Sequence, residues 1–316
     1  MKTGGKESRP VIPDGVLVVD KPEGPTSHDV VTLARRSLGV SRIGHTGTLD
    51  PMATGVLPLV VGKATRLAQF LTASEKTYDA TVAFGRTTDT YDKLGRVGST
   101  LPARPSRKDV EDALARFRGT FQQTPPAFSA KSIDGERAYA LARKHARGSA
   151  NPSEPSRPRA VPVTVHQLDL AAFDGESARL TMRVSAGFYV RALAHDLGAA
   201  LGCGAVLVAL RRTQSGEFGL DGAIPLADVL QMARAELGTR LVPMTAVMRD
   251  LPAVVLRGAA SLERLKNGVE MGPGDVLEPL GRPVQIVRLL GPDGGLVALA
   301  RPGKEPGHLH GWVVLA

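Results

Sequence analysis

The chain has one cysteine, Cys203, so no disulfide can close within it and a metal site built on cysteines is not expected. Aromatic residues are scarce at 4%, with one Trp and four Tyr, so any core must rest on Leu, Val and Ala. Each Tyr is then a candidate for a separate task. No apolar run reaches the ~18 residues of a membrane span. Residues 1–10 are polar and lack the apolar core of a signal peptide, which suggests a disordered tail on a cytoplasmic protein. Several catalytic signatures are also missing. No G-x-G-x-x-G follows a strand, and there is no G-x-S-x-G nucleophile turn. Val61-Gly62-Lys63-Ala64 resembles a phosphate loop only faintly: Leu57 stands where that loop needs its first Gly, and Ala64 where it needs Ser or Thr. His45 and Asp50 lack the spacing of a zinc site with a third ligand. A cofactor-free reaction remains.

At 316 residues and 42% apolar, the chain can hold two domains with ordinary cores. It carries a net charge of +9, which suits a polyanionic partner because each cation that meets a phosphate releases a counterion. The excess is clustered: residues 101–160 hold twelve Lys or Arg against six acids, or +6 of the +9. That stretch reads as a docking surface for an acidic polymer.

Gly15 to Asp20 is a continuous apolar run closed by Lys21-Pro22 and reads as a strand. Ser27 reads as the cap of a helix whose apolar face is Val30, Val31, Leu33, Ala34 and Leu38, with Gly39 as its stop. Residues 43–55 read as a loop and Val56 to Val61 as a buried strand. Thr77 to Phe84 alternates and carries Tyr78. Ser106 with Asp109 marks another helix start. Residues 146–162 lack periodicity. Two paired strands follow, then a helix from Tyr189 to Leu201 and a strand from Val206 to Thr213. Near residue 240 the pattern shifts to short strands separated by Gly and Pro, which suggests a small β-rich domain over 241–316.

The most informative stretch runs from Arg42 to Leu57 and sets His45 and Asp50 among Gly44, Gly47 and Gly55. Glycines let a backbone approach a ligand closely, and loops on rigid scaffolds often carry reactive groups. The same residues also suit a plain turn built by Asp50-Pro51, and by themselves they leave both readings open.

Four segments, in order, resemble the TruB family of tRNA pseudouridine synthases. These are Val19-Asp20-Lys21-Pro22 with Gly24 and Thr26-Ser27; Gly44-His45-Thr46-Gly47-Thr48-Leu49-Asp50-Pro51; Lys76-Thr77-Tyr78 with Gly85 to Thr90; and Gly187 to Arg191 with Leu210-Arg211-Arg212. The resemblance spans residues 15 to about 215. It implies an α+β fold: a mixed, mainly antiparallel sheet flanked by helices, with a small β-rich PUA-like C-terminal domain. Residues 11–240 would form the catalytic domain, with an RNA-contacting insertion at about 125–160 that is mobile without RNA, and 241–316 the PUA-like domain. The implied substrate is the T-loop uridine of tRNA, position 55, contacted through the T arm. The implied protein is a monomer without cofactor, metal, membrane or obligate protein partner. Ala186 and Phe188 stand where many members have Lys and Thr, which puts only local RNA contacts in question.

The resemblance also implies roles. Asp50 matches the catalytic carboxylate, acting near C1′ as nucleophile or as base. Arg191 matches an Arg that pairs with it; a guanidinium fixes a carboxylate's position and favours its charged form. Tyr78 matches a Tyr that stacks on the base and handles the C5 proton. Tyr189 and Leu210 match residues that line the uracil pocket, His45 a His that fills the space of the flipped base, and Lys21 a Lys that supports the pocket. On spacing alone Arg191 reads sooner as a helix-surface charge and Leu210 by default as plain core, and Tyr78 reads alternatively as a cross-strand core residue.

Overall fold

Gly15–Lys21 forms strand β1, and its unbroken apolar character reflects burial on both faces. Leu17 and Val19 enter one core, Val16 and Val18 another. The computed structural model describes residues 11–102, 104–127, 132–133, 136–137, 159–280 and 284–316. The N-terminal tail and most of the expected insertion lie outside the described residues.

Helix α1 (Ser27–Leu38) is capped by Thr26 rather than Ser27. Thr26 Oγ1 accepts from Asp29 N–H at 3.1 Å, and the Asp29 carboxylate accepts from Thr26 N–H at 2.9 Å. Ser27 is the first helical residue, and its hydroxyl is engaged elsewhere: it accepts from Leu49 N–H at 2.8 Å and donates to Leu49 O at 3.1 Å. Gly39, with φ 60°, ends the helix as expected.

The stretch 43–55 is not all loop. Its first residues form β2 (Ile43–His45) and its last begin β3 (Ala53–Val61), antiparallel to each other. A 3₁₀ turn and α2 (Ala68–Thr72) lead to β4 (Lys76–Phe84), whose buried alternation matches the sequence pattern. A ribbon, β5 (Arg86–Thr88) and β6 (Val97–Thr100), brackets a turn at 89–96. Then come α3 (Arg107–Leu114), capped by Ser106 and Asp109, and β7 (Gly119–Gln123). A short pair, β8 (Ser132–Ile133) and β9 (Glu136–Arg137), precedes β10 (Val161–Phe173) and β11 (Ser177–Val184). Helix α4 (Val190–Ala200) and β12 (Ala205–Ser215) follow. The short elements β13 (Phe218–Gly219), β14 (Ile224–Pro225), α5 (Leu226–Gln231), α6 (Arg234–Thr239) and β15 (Val242–Pro243) close this part.

The large sheet runs β14-β1-β3-β12-β4-β11-β10-β7 and is antiparallel except at β1/β14 and β3/β12. A separate sheet has the order β16 (Ala253–Val255), β17 (Val287–Leu290), β18 (Leu296–Pro302) and β19 (Leu309–Val314), with α7 (Ala259–Lys266) beside it. The fold is therefore α+β, with a small β-rich C-terminal unit. Among the described residues no helix is long and apolar enough to cross a membrane.

One face of the large sheet packs under α1, α3 and α4 through Val30, Leu38, Val110, Leu114, Leu193 and Leu197. On the other face Val16, Val18, Val56 and Val60 meet Leu296, Leu299 and Leu315 of the C-terminal unit. Each fully buried Val or Leu contributes roughly 1.5–3 kcal/mol. An edge-on contact of Phe70 with Trp312, at 4.9 Å, extends that seam.

Candidate active site

Register across the helix-covered face sets four residues in one row: Lys21 opposes Gly55, Gly55 opposes Arg212, and Arg212 opposes Tyr78. Gly55 is the close-approach point. With φ 104°, it brings β3 so near β12 that a Cβ there would stand 2.2 Å from Arg212 O. The loop from Thr46 to Met52 connects β2 to β3 above this row.

Two buried cations hold that loop through its carbonyl oxygens. Lys21, fully buried, donates to Pro51 O at 3.3 Å, Ala53 O at 2.6 Å and Pro22 O at 2.9 Å. Arg212, 1% exposed, donates from Nε to Val56 O at 2.7 Å and from Nη2 to Gly47 O at 3.1 Å. Ser27 grips Leu49, and Gly24 N–H donates to Pro51 O at 2.8 Å. Burial pushes the Lys21 ammonium down to about 8, opposed by the Asp50 charge. Burial likewise takes Lys76 to about 8, with Arg212 adding to the fall.

Asp50 thus sits on a loop pinned on both sides of it. Its carboxylate is one-third exposed and meets the buried Arg191 on α4: Nη2 donates to Oδ1 at 3.1 Å, and Nε lies 2.8 Å from Oδ2. One hydrogen bond and one close ion-pair contact thus hold the carboxylate against the guanidinium. Arg191 is held in turn by the turn at 89–96. Its Nη1 donates to Thr90 O at 3.0 Å and lies 3.7 Å from Asp92 Oδ2. Asp92 Oδ1 accepts from Thr90 Oγ1 at 2.7 Å and from Leu94 N–H at 3.0 Å.

The other sequence candidates lie around this array. Leu210 opposes Ala53 on one side and Ala80 on the other, so it shares a face with Tyr78 two residues along. Both are 8% exposed and belong to one apolar cluster with Leu49, Met52 and Phe188. Tyr189 is the residue before α4, two positions from Arg191. Its main chain is fixed by buried Gln123: Tyr189 N–H donates to Oε1 at 2.8 Å and Nε2 donates to Tyr189 O at 3.1 Å. His45 ends β2, and its Nδ1 accepts from Gly47 N–H at 3.3 Å, so that nitrogen carries no proton. Burial, then the charges of Arg212 and His28, hold the His45 imidazole below its ordinary pKa.

Sequence reasoning missed Asp92, Gln123 and the supporting parts of Ser27 and Arg212. Arg212 stands in a quoted motif, but nothing local distinguishes a buried Arg from an exposed one. Asp92 lies two residues beyond the Gly85–Thr90 motif without a mark of its own.

Residues 35–190 match the model described as TruB family pseudouridylate synthase (N terminal domain), and residues 191–249 that of the tRNA pseudouridylate synthase B C-terminal domain. The chain belongs to the TruB family. A tRNA pseudouridine synthase B of Solibacter usitatus is 46% identical over 257 residues, covering 81% of this chain and 85% of the relative. One from an Azoarcus strain is 43% identical over 264 residues, covering 84% and 85%. In fold the chain is similar to a protein in the structure of an H/ACA RNP bound to a substrate RNA containing 2'-deoxyuridine, with TM-score 0.71 and 24% identity over 96% of this chain and 85% of that one. The two family models meet at the start of α4. Because β12 pairs with both β3 and β4, they describe two parts of one sheet rather than two separable bodies.

Proposed function

We propose that the protein converts the T-loop uridine at position 55 of tRNA to pseudouridine, with Asp50 as its essential carboxylate. The observation that carries this reading is the pairing of Asp50 with Arg191: a partly open carboxylate held by a buried guanidinium through one hydrogen bond and a close ion pair, with Tyr78 and Leu210 on the same apolar face of the sheet. Membership of the family supplies the reaction class.

The target base lies within a folded loop and must be swung out, at a cost of roughly a few kcal/mol. The N1–C1′ bond breaks, with Asp50 acting at the ribose as nucleophile at C1′ or as base at its neighbouring carbon. The detached uracil turns and C5 bonds to C1′. The C5 proton leaves and N1 gains one, so the product is an isomer and no co-reactant is consumed. Tyr78 stacks on the base, an interaction of about 1–3 kcal/mol, and handles the C5 proton. Tyr189 and Leu210 line the uracil pocket, His45 fills the space the base leaves, and Lys21 supports the pocket. The C-terminal unit contacts RNA as a PUA-like domain, and the enzyme works in the cytoplasm as a monomer.

Incubating the protein with unmodified tRNA and mapping pseudouridine by chemical derivatisation tests the reading. A single modified site in the T loop is expected, and modification only elsewhere overturns the substrate assignment. Asp50→Asn should abolish the product while tRNA binding survives. Loss of both together makes Asp50 structural instead.

A further inference from the structure

Tyr91 is one of two non-glycine residues with positive φ among those described, at 64°. An L side chain there is strained, so the surroundings must hold it. Its ring lies flat on His195, with centroids 3.9 Å apart and planes 14° from parallel. His195 is one helical turn beyond Arg191 on α4. Tyr91 is also the residue between the two acceptors that face Arg191 Nη1, Thr90 O and Asp92 Oδ2. Its own carbonyl accepts from Leu207 N–H at 3.0 Å, and Lys93 N–H donates to Leu207 O at 2.9 Å, so the turn's backbone is tied to β12.

The turn therefore meets α4 at two points one helical turn apart, a ring stack at His195 and a guanidinium at Arg191. We infer that the Tyr91–His195 stack is a positioning element for the reaction: it holds the turn in the one register that sets Thr90 O and Asp92 against Arg191 and so aims Arg191 at Asp50. A stacked pair suits this task because two close, near-parallel rings hold the turn against the helix at a fixed separation. The left-handed backbone of Tyr91 explains why a ring is needed. It turns Thr90 O and the Asp92 side chain toward the same nitrogen, a geometry that the backbone alone disfavours.

This inference rests on the reading that Asp50 is the reactive carboxylate, and the experiment separates the two. Single-turnover rates and KM are measured on unmodified tRNA for wild type, Asp50→Asn, Tyr91→Phe, Tyr91→Asn, His195→Ala and the double variant Tyr91→Asn/His195→Ala. Asn accepts the left-handed backbone without supplying a ring. Tyr91→Asn and His195→Ala should each lower the chemical rate about tenfold with KM unchanged, and the double variant no further, because both remove one contact. Tyr91→Phe should restore the wild-type rate. Independent, multiplying losses, a loss confined to KM, or a rate in both single variants within twofold of wild type would overturn the inference. So would equal losses in Tyr91→Phe and Tyr91→Asn, which would assign the effect to the hydroxyl. If Tyr91→Asn does not fold, His195→Ala with Tyr91→Phe carries the same test. An active Asp50→Asn removes the underlying reading instead, whatever the Tyr91 variants do.

Discussion

Arg212 stands directly across the β4/β12 ladder from Tyr78, and its guanidinium reaches over Gly55 to the carbonyl oxygens of Val56 and Gly47. The strand that presents the tyrosine is thereby coupled to the loop that presents Asp50. Buried charge serves here as a tether: a guanidinium satisfied by carbonyls holds two backbone segments in a fixed relation, and removing it leaves those carbonyls unpaired.

Arg191→Lys tests the guanidinium that bridges Thr90 O and Asp50. A lysine keeps the charge but offers one ammonium in place of a planar pair of donors. We expect the single-turnover rate to fall roughly 30-fold, equivalent to about 2 kcal/mol of barrier, with tRNA affinity unchanged. A rate within twofold of wild type would show that charge alone suffices.

Gly55→Ala tests the close approach of β3 to β12. The added methyl meets Arg212 O at 2.2 Å, and φ 104° is strained for any side chain. Neither the ladder nor the loop can shift without breaking the Arg212 contacts. A loss of at least about 2–3 kcal/mol is expected, read from the midpoint of urea unfolding. An unchanged midpoint would mean that the strands part freely at this point.

Lys76→Met tests the buried ammonium that donates to Thr72 O and Ser74 O. Its folded pKa, about 8, lies below the ordinary lysine value of 10.5. Between those limits the unfolded chain binds more protons than the folded one, so wild-type stability rises with pH through that window relative to the variant. Below pH 8 the burial cost is fully present. The difference in unfolding free energy between the two proteins should therefore grow from pH 8 to 10.5, by up to about 3 kcal/mol. A difference that is flat or falls with pH would contradict the burial of a charged amine there.

Much of the scaffold was legible in residue order. Ser106 with Asp109 announced a helix start because a capping box is closed within four residues. The alternation of β4 showed which side of that strand is buried. Residue order leaves the cap of α1 open by one residue, since both Thr26 and Ser27 can cap and only the distant Leu49 decides between them. The first residues of the 43–55 stretch carry no strand signal of their own, because β2 exists only by pairing with β3.

By itself the sequence determined the elements whose bonds are local, and the family to which its four motifs point. It also set Asp50 on a glycine-flanked loop. Only the tertiary structure decided that Arg191, 141 positions away, is buried and paired with Asp50, with Asp92 behind it, and that Lys21 and Arg212 serve as tethers. Local patterns follow from periodicity and short-range hydrogen bonds. Which distant charges reach the Asp50 loop depends on strand register, where a shift of one residue would turn Lys21 and Arg212 to the opposite face, and on the packing of α4 that brings Arg191 to Asp50.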